Sequence, residues 1–196
     1  MTDAMPSHRS GLFKALRDVL PHDAAVTMDA GRLCLQATDV LNYHHPRSLF
    51  TPLDFGLVGF SFACGLGAKL AAPDRPVVSL MGDGGFGMMV SELGTAVDHG
   101  INTVTVVMNN RCRGAENAYQ RDLFGERYIG ADISNPPFDK LAELYGAKEY
   151  RAETPSDTAA TIEDALTCGR PAVGGVQVGP AALYSFRRDS FKHRGG

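Results

Sequence analysis

Gly82-Asp83-Gly84-Gly85 and Asn109-Asn110 are the two places in this chain where residue type and spacing point to chemistry, with 24 residues, Gly85 to Met108, between GDG and NN. A carboxylate and an amide carbonyl are hard oxygen ligands suited to Mg2+ or Ca2+, and two protein ligands leave coordination positions for phosphate oxygens and water. Gly82, Gly84 and Gly85 carry no side chain to block a close approach. Their amides, with a helix N-terminus behind them, make a site for an anion. The guest that these residue types predict is a metal-bound diphosphate.

Two strands and one helix must position these groups. Pro76 to Met81 is a short apolar run rich in β-branched residues that ends in the glycines, as a buried strand closing in a tight turn does. Phe86, Met89, Val90, Leu93 and Val97 recur at helical spacing and predict one helix after the turn, stopping at Gly100. Thr103 to Met108 is a second buried strand, ending on the asparagines. Parallel strands joined by a helix have their carboxyl ends on one sheet edge, where α/β proteins hold ligands, so Asp83 and Asn110 converge.

Leu12, Leu16, Val19 and Leu20 mark a first helix that Pro21 ends, and Ala24 to Met28 reads as a first strand. Asp29-Ala30-Gly31-Arg32 follows at the same edge. Thr51 to Ala72 is helical in length, and its small residues, Gly59, Ser61, Ala63, Gly65 and Gly67, let a helix or backbone approach closely. Thr154-Pro155 opens a last helix with Ala159, Ile162, Ala165 and Leu166 inward, and Ala172 to Val178 is a final strand. The elements predict an α/β fold: a doubly wound parallel sheet with helices on both faces.

The 196 residues suit a single domain, and 44% hydrophobic with 21% charged residues is ordinary for a soluble globular chain. A net charge of −3 argues against a nucleic-acid partner, and Arg187, Arg188, Lys192, His193 and Arg194 read as a solvated tail. No stretch approaches the roughly 20 apolar residues of a membrane span, and Met1 to Ser10 lacks a signal-peptide pattern, so the expected location is cytoplasmic. Cys34, Cys64, Cys112 and Cys168 are scattered without metal or redox spacing and read as buried free thiols.

In its strand–helix–strand setting, the GDG and NN pair resembles the thiamine-diphosphate binding motif of acetolactate synthase, benzoylformate decarboxylase and sulfopyruvate decarboxylase. The resemblance runs from about Ala24 to Val178 and is to the diphosphate-binding domain of that family. It implies thiamine diphosphate and Mg2+ as cofactors, with Asp83, Asn110 and the backbone carbonyl of Cys112 as metal ligands. The backbone of Gly31 and the side chain of Arg32 become candidates for the diphosphate, beside a plain surface reading for Arg32. Thr51 to Ala72 corresponds to the family segment GxMGFGLPAAIGA. Carried over by position, Val58 wedges under the cofactor between its two rings and the carbonyl of Gly56 accepts from the aminopyrimidine, while Phe62-Ala63-Cys64 departs from the usual Leu-Pro-Ala.

By the same resemblance Gly82, Gly84, Gly85 and Gly114 complete the cofactor-binding set, and Arg113 to Asn117 lie at the mouth of the site. Arg113 is placed to meet an anionic substrate group or to face solvent. The relatives' pattern adds a helix over Phe138 to Tyr145 and a strand around Glu149-Tyr150. Paired histidines act as acid–base groups in some decarboxylases of the superfamily, but on the other type of domain, so His44 and His45 are read as structural or surface residues.

The resemblance places no catalytic residue in this chain, since the activating glutamate of the family lies on a pyrimidine-binding domain and Glu92 is a helix-surface or packing residue. The implied protein is the diphosphate-binding subunit of a two-chain enzyme that decarboxylates or carboligates a 2-oxo acid through an enamine. A partner subunit carries the pyrimidine-binding domain, in a hetero-oligomer, as in sulfopyruvate decarboxylase. Two other readings stand beside it: a non-catalytic or degenerate cofactor-binding subunit, and a Mg2+-dependent domain for another phosphorylated ligand.

Overall fold

The computed structural model describes residues 9–31, 36–38, 40–52 and 55–178, and its strands form one six-stranded, all-parallel sheet. The strands are β1 (Ala25–Met28), β2 (Leu49–Phe50), β3 (Val77–Gly82), β4 (Val104–Asn109), β5 (Lys148–Ala152) and β6 (Ala172–Gln177), in the spatial order β2-β1-β3-β4-β6-β5. β1 and β4 are buried along their whole length, and so is β3 up to Met81, as near-continuous apolar runs covered on both faces must be. β5 lies at an edge, which accounts for its Lys148, Glu149 and Arg151.

The helices are α1 (Arg9–Val19), α2 (Phe60–Ala71), α3 (Asp83–Met89), α4 (Glu92–Asp98), α5 (Gly114–Leu123), α6 (Phe138–Tyr145) and α7 (Pro155–Thr167). On one face of the sheet Leu12, Phe13 and Leu16 of α1 and Ile162 and Ala165 of α7 pack with Val26, Val78, Leu80, Val106 and Met108. On the other, Phe62, Phe86, Leu93 and Phe138 pack with Met81, Val107 and Val173. There Phe86 meets Phe62 and Phe138 edge to face, at 5.7 and 5.5 Å between ring centroids. These two cores are the doubly wound architecture that the alternating elements predict.

Pairing aligns the carboxyl ends of the central strands: Met28 lies opposite Leu80, Gly82 opposite Met108 and Asn109 opposite Gln177. Asp29, Asp83 and Asn110 therefore leave the sheet at one edge. α2 is held tightly onto β1 and β3 by three buried hydroxyls, with Thr27 donating to the Ser61 carbonyl at 2.8 Å and its Oγ1 lying in hydrogen-bond contact with Ser79 Oγ at 2.9 Å. Gly65 lies directly over that cluster, where a Cβ would collide with Ser79. The close approach allowed by the small residues is thus to the sheet, through Ser61 and Gly65, while Ala63 and Gly67 face solvent.

Several boundaries differ from the sequence expectation. The helix within Thr51 to Ala72 starts only at Phe60, because Gly56 (φ +70°) and Gly59 (φ +91°) hold left-handed conformations that a helix cannot include. The glycine turn after β3 is itself the first turn of α3, and the single helix expected to Val97 divides at Val90-Ser91. There Leu93 and Gly94 bond three residues back, at 3.0 and 3.1 Å, so the division is one tightened turn. Cys112 is buried, but Cys64 and Cys168 are only half-buried, which corrects the reading of all the cysteines as buried thiols. Arg32, Cys34 and the basic residues after Val178 lie outside the described residues. Among the described residues no helix is long and apolar enough to cross a membrane.

The start of α7 is closed by a capping box: Thr154 Oγ1 accepts from the Asp157 amide at 3.1 Å, and Asp157 Oδ2 accepts from the Thr154 amide at 3.0 Å. Thr154→Ala is expected to lower stability by about 1 kcal/mol. A urea midpoint equal to the parent's would show that the cap contributes nothing.

Candidate functional site

Asp83 opens α3 directly from the end of β3 and is only 2% exposed. Its Oδ1 accepts from the Gly84 amide at 3.0 Å and its Oδ2 from Asn135 Nδ2 at 2.6 Å. Burial pushes this carboxyl above the ordinary carboxylate value, and those donors pull it part of the way back. Among the described residues Asp83 belongs to no ion pair. A buried carboxylate without a counter-charge is costly, and a cation relieves that cost.

The chain leaves β4 through Asn109 and Asn110, whose side-chain oxygens turn back on their own loop. Asn109 Oδ1 accepts from the Arg111 amide and Asn110 Oδ1 from the Cys112 amide, both at 3.1 Å. Such Asx contacts two residues ahead shape the backbone into a turn, and Arg111 takes a left-handed φ of +56° within it. The next segment crosses this loop antiparallel, Arg113 donating to the Ala131 carbonyl at 2.7 Å and Ile133 to the Arg111 carbonyl at 3.0 Å, with Cys112 bridged to Asp132. Asn135 then reaches both strand ends, since Nδ2 also donates to Asn109 Oδ1 at 3.3 Å.

The residues brought together at this edge are therefore Asp83, Asn109, Asn135 and the Arg111–Cys112 backbone, with Asn110 one residue further out and half-buried. Among the described residues no group of three or more His, Cys, Asp or Glu could hold a metal. The donors on offer are instead one carboxylate, amide oxygens and main-chain carbonyls. That mixed oxygen set fits a hard divalent cation that keeps positions for phosphate and water. Gly84 lies beneath the side chains of Ile133 and Arg113, and Arg113 itself is exposed.

Asp29, at the end of β1, is 1% exposed and caps α2: Oδ2 accepts from the Gly59 amide at 3.0 Å and Oδ1 from the Ser61 amide at 3.3 Å. Burial raises its carboxyl above the usual range against the pull of these amides. Gly85 packs on this carboxylate with no room for a Cβ, and Gly59 packs in the same way on Met89 of α3. Asp29 is thus a buried strut joining β1, α2 and α3.

Gly31 is exposed with φ +123°. Gly56 and Val58 stand on an uncovered lip, where Phe55, Leu57 and Val58 are 85%, 51% and 52% exposed. Gly114 opens α5, so Gly114 to Asn117 of the expected mouth form the first turn of a helix. His44 and His45 are exposed, and His44 stacks on His22 at 4.1 Å. Glu92 accepts from Thr95 Oγ1 at 3.1 Å within α4 and is a helix residue as expected. Sequence reasoning missed the parts played by Asn135 and Asp29. Ahead of Pro136-Pro137, Asn135 carries only a turn signal.

Residues 29–175 match a family model described as thiamine pyrophosphate enzyme, C-terminal TPP binding domain. The chain is 33% identical over 159 residues to the sulfoacetaldehyde acetyltransferase of Alcaligenes xylosoxydans xylosoxydans, covering 81% of this chain and 26% of that protein. It is 32% identical over 161 residues to a probable acetolactate synthase large subunit of Methanococcus aeolicus, covering 82% and 27%. Among solved structures, the thiamine diphosphate-dependent 4-hydroxybenzoylformate decarboxylase of Rhodococcus jostii RHA1 superposes with a TM-score of 0.80 at 28% identity, over 87% of this chain and 32% of that one. The benzoylformate decarboxylase of Polynucleobacter necessarius, at 23% identity and TM-score 0.83 over 93% of this chain and 35% of that one, shares the fold. This chain thus spans about a quarter to a third of the length of these relatives.

Proposed function

The chain belongs to the thiamine pyrophosphate enzymes as a C-terminal TPP-binding domain, and from that premise we propose that it is the diphosphate-binding subunit of a two-chain enzyme acting on a 2-oxo acid by decarboxylation or carboligation. In this reading the 196 residues are one such domain with its core at about 24–178. The observation that carries the proposal is the buried Asp83, without a counter-charge among the described residues and facing the Asn109–Cys112 loop across the sheet edge.

Asp83, the side-chain oxygen of Asn110 and the carbonyl of Cys112 would hold Mg2+, while Gly82, with nothing within 4 Å of where a Cβ would stand, leaves the backbone open to the diphosphate, and Gly84 and Gly85 are assigned to it by their positions in the family motif. By their positions in the family motif, Gly31, Arg32 and Gly114 are assigned as further contacts of the diphosphate. The Gly56 carbonyl would accept from the aminopyrimidine, and the exposed Val58 would prop the two rings against each other. Bound thiamine diphosphate supplies a nucleophilic carbon and an electron sink for making or breaking a bond next to a carbonyl. Arg113, exposed above Gly84, is free to meet the acid group of the substrate.

The activating glutamate is assigned to a pyrimidine-binding domain on a partner subunit. The uncovered lip at Phe55, Leu57 and Val58 supports such a partner, because a large apolar edge beside a site is ordinarily covered. Calorimetric titration of thiamine diphosphate with Mg2+ into this chain, alone and then mixed with the product of its neighbouring gene, tests the reading. Tight binding and 2-oxo acid turnover only in the mixture is the expected result, and full turnover by this chain alone would refute the two-chain arrangement. Val58→Ala is expected to lower turnover at least about tenfold in that mixture. Because the side chain is 52% exposed, the urea midpoint should scarcely move; a loss confined to stability would remove Val58 from the site.

A further inference from the structure

We propose that Asn135 is a positioning residue for the divalent cation: its amide fixes the Asp83 carboxylate and couples it to the Asn109–Cys112 loop, so that cation affinity depends on a side chain that does not bind the ion. The inference rests on the reading of Asp83 as a metal ligand.

Asn135 Nδ2 donates to Asp83 Oδ2 at 2.6 Å and to Asn109 Oδ1 at 3.3 Å, and Asn109 Oδ1 in turn accepts from the Arg111 amide at 3.1 Å. One continuous set of bonds therefore runs from the carboxylate that opens α3 to the loop that carries the Cys112 carbonyl. The link to Asp83 is between a neutral donor and an acid, a shorter and stronger class of hydrogen bond than one between two neutral groups. A carboxylate has room for about four such contacts, so the Asn135 amide orients the group and leaves capacity for an ion.

The backbone around Asn135 is fixed from both sides. Before it, the Ile133 and Arg113 amides tie Ala131–Ile133 to the loop after β4. After it, Pro136 and Pro137 restrict the backbone and lead into α6, whose first residue, Phe138, packs edge to face on Phe86 of α3 at 5.5 Å. The amide is thus carried by a segment docked on both elements that supply candidate ligands. An uncharged donor suits this position, since a second carboxylate there would repel Asp83 and an apolar residue would leave its Oδ2 without this partner. Groups that orient a metal ligand through hydrogen bonds typically change metal affinity by about 10–100-fold when removed.

Asn135→Leu keeps the size of the side chain and deletes the donor, and Asn135→Ser is a smaller polar change at the same half-buried site. Each variant, mixed with the product of the neighbouring gene, would be titrated with Mg2+ at saturating thiamine diphosphate, and with thiamine diphosphate at saturating Mg2+, with bound Mn2+ followed by electron paramagnetic resonance. The expected result is a rise of about tenfold or more in half-saturating Mg2+, recovery of thiamine diphosphate affinity to within about twofold at saturating Mg2+, and an altered Mn2+ spectrum. Folded variants with the parent's Mg2+ requirement and Mn2+ spectrum would overturn the proposal. So would failure of both variants to fold, which would assign Asn135 to folding. A parent mixture of the two subunits with no metal-dependent binding would instead overturn the reading of Asp83, and this inference with it.

Discussion

Asp83→Ala is expected to abolish the Mg2+-dependent part of thiamine diphosphate binding and to leave a folded chain. The side chain removed is the only carboxylate among the assigned ligands, and it delivers its charge from a position 2% exposed, where little water screens the attraction to a cation. A loss of at least about 100-fold in affinity is the expected scale, equivalent to about 3 kcal/mol. The fold should persist because the partners of Asp83 are local or adaptable. Gly84 is its neighbour in α3, and the Asn135 amide keeps its second contact to Asn109. Removing the carboxylate also removes a buried charge that no counter-charge among the described residues balances, which offsets part of the lost hydrogen bonding. Titration of the two-subunit mixture with and without Mg2+, together with a urea denaturation curve of this chain, separates the two effects. A variant that binds the cofactor like the parent would take Asp83 out of the metal site.

Gly85→Ala should destabilise the chain by about 3 kcal/mol or more, although helix propensity alone favours the change by about 1 kcal/mol. Both Gly85 and Gly87 lie in α3, so backbone preference is the same in kind for each. They differ in what a Cβ meets. At Gly85 it falls on the Asp29 carboxylate, whereas at Gly87 nothing lies within 4 Å. The carboxylate cannot step aside cheaply, because its oxygens accept from the amides of Gly59 and Ser61 at the start of α2. Moving it uncaps that helix and leaves a buried acid unpaired, a penalty larger than the propensity gain. Gly87→Ala is the matched comparison and should be neutral or slightly stabilising. Equal urea midpoints for the two variants would show that α3 can lift off Asp29 at no cost.

The strand–helix–strand unit around GDG and NN is legible in the sequence because its causes are local. A β-branched run, a 3.6-residue apolar period and the rule that parallel strands end on one edge place Asp83 and Asn109-Asn110 together without reference to the rest of the chain. The amphipathic faces of α1 and α7 are readable for the same reason, down to Thr154-Pro155 at the start of α7. Exact helix limits are less visible. Phe86 and Leu93 face the core whether α3 and α4 are one helix or two, so periodicity does not register the tightened turn at Val90-Ser91. β2 is two residues long, too short to show any period.

The network within the site is decided only by the tertiary structure. Asn135 and Asp83 are 52 positions apart, and Asp29 and Gly59 are 30 apart. No local pattern distinguishes Asn135 from any other asparagine before a proline, or Asp29 from any other acid in a turn after a strand. What gives them their roles is the docking of α2, α3 and the Ala131–Asn135 segment on one sheet edge. The sequence alone therefore specifies which groups can meet a metal-bound diphosphate, since hard oxygen donors and bare glycine backbone are properties of residue type. Which of those groups are buried, oriented and tied to one another depends on contacts between distant segments, and these exist only once the sheet has formed.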